Sequence, residues 1–139
     1  MNSRHHAREV TLQILYLWEI GGTDPANAVS AFFAGHEPDA EEAVKAYAAT
    51  IVPQVVEAVP RLDQLISQHA KNWRIERMSI IDRLILRLGT WELLHERDTP
   101  PAVILNEAIE LARTFGTDDS VKFVNGVLDG IRKTTAASA

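Results

Sequence analysis

Ser79-Ile80-Ile81-Asp82-Arg83-Leu84-Ile85-Leu86-Arg87-Leu88-Gly89-Thr90-Trp91-Glu92 is the stretch on which the reading of this chain turns. Ser79, with Asp82 three residues on, opens a helix, because a serine side chain accepts from the orphan N–H groups of the first turn. From there Ile80, Ile81, Leu84, Ile85, Leu88 and Trp91 spread around most of the helical circumference. A surface helix needs one apolar stripe; a helix apolar on several sides needs neighbours on several sides. The stretch therefore predicts the central helix of an all-α bundle.

Working outward, Pro100-Pro101 closes the next connection and starts a helix through Ile104, Ala108, Leu111 and Ala112. Gly116 is expected to end it as a glycine after the last turn. Asp118-Asp119-Ser120 is expected to cap a last helix carrying Val121, Val124, Leu128 and Ile131 inward. Toward the N-terminus, Ser3 is placed as the cap of a first helix through Ala7, Val10, Ile14, Leu15 and Trp18, stopped by Gly21-Gly22. Asp24-Pro25 opens a short second helix to about Ala34. Asp39 with Glu42 reads as a capping box for a third. Pro53 and Pro60 interrupt the apolar pattern that follows, and kinks or restarts are expected there, since each proline removes an intrahelical donor. The expected architecture is all-α, about seven helices in one domain over residues 1–133, followed by a small, polar, unstructured tail over 134–139.

Composition narrows the function. With 46% hydrophobic residues in 139, the chain can bury one core. It has no cysteine, which removes disulfides, thiolate catalysis and thiolate zinc sites and makes a cytoplasmic location the expectation. No apolar run approaches the length of a membrane span. The five histidines include no pair at i,i+4, so no metal site is expected. Glycine-rich phosphate loops, serine elbows and zinc-protease motifs are absent, so neither enzyme activity nor a cofactor is expected. Arg83, Arg87 and Glu92 on so apolar a helix read as structural ion-pair members. Trp18, Trp73 and Trp91 read as core or boundary residues, not as stacking platforms.

Two segments point to RNA. The net charge of −5 lies wholly in residues 24–60, where Asp24, Glu37, Asp39, Glu41, Glu42 and Glu57 face only Lys45; the rest of the chain is balanced. Arg4, His5, His6 and Arg8 crowd one turn at the positive end of a helix, an arrangement relieved by an anion. Arg113, Phe115, Lys122 and Phe123 flank the Gly116–Ser120 turn, bringing cations and rings to one helix junction. Single-stranded RNA needs both, cations for phosphates and ring faces for unstacked bases.

Ala7-Arg8-Glu9 with Leu15-Tyr16 and Trp18, then Leu86-Arg87-Leu88 through Trp91-Glu92-Leu93, resemble the NusB transcription antitermination family. The most diagnostic stretch is Asn106-Glu107-Ala108-Ile109-Glu110-Leu111-Ala112, Phe115-Gly116, Asp119-Ser120 and Lys122-Phe123-Val124-Asn125-Gly126-Val127-Leu128-Asp129. The resemblance implies two helical subbundles and a role in binding single-stranded boxA RNA of ribosomal RNA leaders with NusE, a small-subunit ribosomal protein, in the antitermination complex on RNA polymerase. It implies that Arg4, His5, His6 and Arg8 form the RNA-binding N-terminal segment, that Tyr16, Phe115, Asp119 and Phe123 lie near the RNA, and that Tyr16 and Asp82 lie near NusE. The family segment is commonly richer in arginine, so weak RNA binding by the chain alone is expected near neutral pH, strengthening below about pH 6.5 as the histidines charge. The alternatives are a helical protein-interaction module or homodimer with weak or lost RNA binding, and a fragment of an RNA methyltransferase, which the missing cofactor unit and nucleophilic cysteine disfavour.

Overall fold

A computed structural model describes residues 3–71 and 73–138. Among them are six α-helices and one 3-10 turn: α1 (Ser3–Gly21), α2 (Pro25–Gly35), α3 (Glu42–His69), the turn Ile75–Arg77, α4 (Ile80–His95), α5 (Pro101–Phe115) and α6 (Asp118–Ser138). The described residues contain no strand. The chain divides into two compact units, Met1–Glu57 and Ala58–Ala139. The division falls inside α3, between Pro53 and Pro60.

That helix corrects one expectation. α3 is continuous through both prolines, and neither restarts it, which accounts for six helices where about seven were expected. Its 28 residues carry buried Val44, Ala48, Ile51, Val52, Val55, Leu62 and Ile66, and burial along most of its length outweighs the two missing donors. It also begins later than the Asp39 cap predicts: Ala40 N–H donates to Glu37 O in a turn, and the first helical acceptor is Glu41 O, bonded by Val44 and Lys45 N–H.

In the first unit α1 packs on α2. Gly22 ends α1 in the left-handed region at φ 65°, where a side chain would be strained, and Asp24 caps α2 by accepting from Ala26 N–H at 3.1 Å. In the second unit α4, α5 and α6 pack on one another. Every residue from Leu84 to Glu92 is buried, so α4 is the central helix its sequence predicts. Ser79 Oγ accepts from Asp82 N–H at 3.1 Å and starts it. Gly89 lets α6 approach: a β-carbon there would lie 2.8 Å from Leu128 Cδ1. Arg87, buried within this helix, meets Asp63 through two parallel bonds, Nε–Oδ1 at 2.8 Å and Nη2–Oδ2 at 2.9 Å, the structural pair expected of it.

Residues 134–138 of the expected tail lie within the described residues, and Ala139 lies outside them. α6 continues past Lys133 to Ser138, and the Thr134 and Thr135 hydroxyls donate to the carbonyls of Gly130 and Ile131. His69 Nε2 bonds the Thr134 hydroxyl at 3.1 Å, so the small polar residues have partners that sequence pattern alone does not display.

Candidate nucleic-acid interface

The first cluster lies on α1. Arg4 is exposed and stands over the Tyr47 ring, 4.9 Å from its centroid, a cation–π contact. His5 Nε2 lies 3.6 Å from Glu9, and His6 Nδ1 lies 3.6 Å from the same carboxylate. His6 Nε2 also meets Glu37 Oε1 at 2.8 Å. The Glu37 hydrogen bond raises the His6 pKa above its ordinary 6.5; partial burial opposes this, and the charges of Glu37 and Glu9 add to it. The crowding of positive groups at this helix end is thus partly answered from within the chain. Arg8 is only 2% exposed, so the cations of this run that face solvent are Arg4 and, in part, His5 and His6. Further along α1, Tyr16, Leu17 and Ile20 are exposed at 39, 38 and 59%, an apolar patch on one side of the helix.

The second cluster lies at the start of α4 and α6. The cap of α6 is not the expected Asp118-Asp119-Ser120. Thr117 and Ser120 cap it reciprocally: Thr117 N–H donates to Ser120 Oγ at 3.1 Å, and Ser120 N–H donates to Thr117 Oγ1 at 3.3 Å. Ser120 is buried by this, and Asp118 and Asp119 stay exposed. Gly116 follows the last residue of α5 as expected; at φ −109° it is not in the left-handed region and serves by closeness, since a β-carbon would lie 2.7 Å from Ser120 Oγ and 2.9 Å from Ala112 O.

With the turn drawn in this way, Asp119, Lys122 and Phe123 face a cavity of about 450 Å³ whose other walls include Trp73, Arg77 and Asp82. Trp73, 54% exposed, meets Phe123 edge to face with centroids 6.0 Å apart. Asp82 Oδ1 is buried with no hydrogen-bond partner among the described residues. The arrangement combines two aromatic rings, two cations and two carboxylates, which can respectively stack bases, meet phosphates and accept from base amino groups.

Of the residues predicted from sequence, the structure brings Asp82, Asp119, Lys122 and Phe123 to one cavity. It leaves Arg113 and Phe115 off that wall: Arg113 is exposed and paired with Glu110 one turn back, and Phe115 is half-buried. The reading of Trp73 as core or boundary is corrected, since it is the most exposed of the tryptophans; Trp91 is 5% exposed and Trp18 half-buried. Its signal was present: Trp73 lies between helices, outside any periodic apolar stripe, and is followed by Arg74 and Arg77. Among the described residues no cluster of histidines and carboxylates could hold a metal ion, and no helix is long and apolar enough to cross a membrane.

The sequence profile of the NusB family matches residues 5–133. The chain is 44% identical over 131 residues to the transcription antitermination protein NusB of Sorangium cellulosum, covering 94% of this chain and 92% of that one. Among solved structures it resembles NusB of T. maritima, with a TM-score of 0.85 at 34% identity over 94% of this chain and 90% of that chain. It also resembles a chain in the crystal structure of the antitermination factors NusB and NusE with double-stranded RNA, with a TM-score of 0.86 at 27% identity over 96% of this chain and 98% of that chain.

Proposed function

The chain belongs to the NusB family, and on that premise we propose that it is a transcription antitermination factor that binds boxA RNA of ribosomal RNA leaders together with NusE. The observation that carries the reading is the cavity in which Trp73 and Phe123 stand beside Lys122, Arg77, Asp82 and Asp119. RNA phosphates meet the two cations, unstacked bases meet the rings, and the carboxylates of exposed Asp119 and half-buried Asp82 accept from base amino groups. Arg4, His5 and His6 form a second anion-facing surface, with Arg8 set beneath it as a buried charge. The acidic stretch of residues 24–60 and the exposed Tyr16, Leu17 and Ile20 suit a basic protein partner such as a ribosomal protein. The protein works in the cytoplasm, as a binding factor and not as an enzyme.

The test is a fluorescence-anisotropy titration of a boxA-like single-stranded RNA and a scrambled control, each with and without purified NusE, at two salt concentrations. Sequence-preferring binding that tightens with NusE and weakens steeply with salt is the expected result. No preference under any of these conditions would sink the reading. The exposed Tyr16–Ile20 patch also supports a second reading, homodimerisation through α1. Light scattering separates the two: a dimer abolished by Ile20→Glu, with RNA binding absent, would favour it.

A further inference from the structure

The second unit carries another cleft, of about 700 Å³, that the RNA-facing cavity does not share a residue with. It is formed where α4 ends, α5 begins and α6 passes, with Arg61 of α3 on its rim. Leu93, Leu94 and Ile104 supply an aliphatic floor, and Arg61, Arg97 and Arg132 surround it. Arg132 is occupied by Asp129, with its Nη2 2.7 Å from Oδ1. Arg61 and Arg97 are exposed and make no ion pair with any described residue. The carboxylate on the wall is Glu96, so the cleft is locally cationic in a chain of net charge −5.

The geometry points to a docking groove for an acidic segment of a partner protein, one with adjacent aliphatic side chains flanked by carboxylates. Unpaired guanidiniums on a rim select carboxylates, and an aliphatic floor rewards methyl groups. RNA fits less well, because the floor offers leucine and isoleucine where bases need ring faces; the one aromatic edge, His95, already lies against Trp91 at 4.9 Å. The helix α4 holds the two surfaces apart. Asp82 on the RNA-facing cavity and His95 on this cleft are separated by about 20 Å of helix at 1.5 Å a residue. One molecule could thus hold RNA at one end of α4 and a protein segment at the other, as an adaptor does.

The probe is a fluorescein-labelled peptide with two adjacent leucines flanked on each side by two glutamates. Saturable binding in the range of tens to hundreds of micromolar is expected, roughly tenfold weaker when glutamines replace the glutamates or serines replace the leucines. Arg61→Glu with Arg97→Glu should weaken the peptide at least tenfold, with RNA affinity and the circular-dichroism melt unchanged, and Arg61→Gln with Arg97→Gln should fall between. Amide signals of Leu93, Leu94 and Ile104 should move on titration. No saturation by about 1 mM, equal binding to the charge-reversed protein, shifts confined to the Phe123 cavity, or displacement by inorganic phosphate alone would overturn the proposal. Displacement by single-stranded RNA would assign the cleft to nucleic acid instead. The RNA arm is read separately, so failure here leaves the boxA reading standing.

Discussion

The Trp73 and Phe123 rings meet at 64° with centroids 6.0 Å apart, at the mouth of the cavity that Asp82, Asp119 and Lys122 also line. Edge-to-face contact covers at most one face of each ring, and Trp73 is 54% exposed. Trp73→Ala and Phe123→Ala are each expected to weaken boxA RNA binding roughly five- to 150-fold, in line with about 1–3 kcal/mol for a stacked base. Indole fluorescence should quench on RNA addition in the wild type and lose most of that change in Trp73→Ala. Unchanged affinity in both variants would remove this cavity from the RNA path.

The His6–Glu37 contact makes a pH prediction. Its raised pKa means that His6 holds its proton more tightly folded than unfolded, so the contact's stabilisation is fully present below 6.5 and is lost as pH rises through the higher folded value. In Glu37→Gln the imidazole titration, followed by NMR, should move back toward 6.5. The stability difference between the two proteins should then be larger at about pH 6 than at about pH 8. The pH dependence of RNA binding should shift in the same downward direction, and it should vanish in His5→Ala with His6→Ala.

Gly89 and Gly126 should respond oppositely to alanine. At Gly89 the new methyl meets Leu128 at 2.8 Å across the α4–α6 contact, and a loss of about 1–3 kcal/mol is expected. At exposed Gly126 nothing lies within 4 Å, so alanine should stabilise α6 by about 0.5–1 kcal/mol. Urea unfolding midpoints at constant slope decide both.

Asp63 and Arg87 form the remaining test. Arg87 has 7% of its side chain exposed and Asp63 24%, so Asp63→Ala takes away the carboxylate that accepts two bonds from a nearly buried guanidinium. A cost of about 2–3 kcal/mol is expected, at or below the roughly 3–5 kcal/mol of a fully buried pair because Asp63 is partly wet. Arg87→Met in the Asp63→Ala background should restore much of it. A single variant that unfolds at the wild-type urea midpoint would refute the pairing.

The amino-acid pattern alone determined the all-helical class, the central position of α4 and most helix ends, because apolar periodicity, proline and cap chemistry act over a few residues. It also marked Lys122 and Phe123 for RNA, and the family resemblance added Asp119 for RNA and Asp82 for a partner; the fold then brings these four side chains to one cavity. Other features depended on residues distant in sequence. Burial along α3 carries the helix through Pro53 and Pro60, and His69 reaches Thr134 across 65 positions at the start of the expected tail. Only tertiary structure decided that Arg8 is covered, that Glu37 binds His6, and that Trp73 stands exposed beside Phe123. The physical reason is one of range: local propensity sets where a helix starts and stops, whereas exposure and ion pairing belong to whatever the packed chain places alongside.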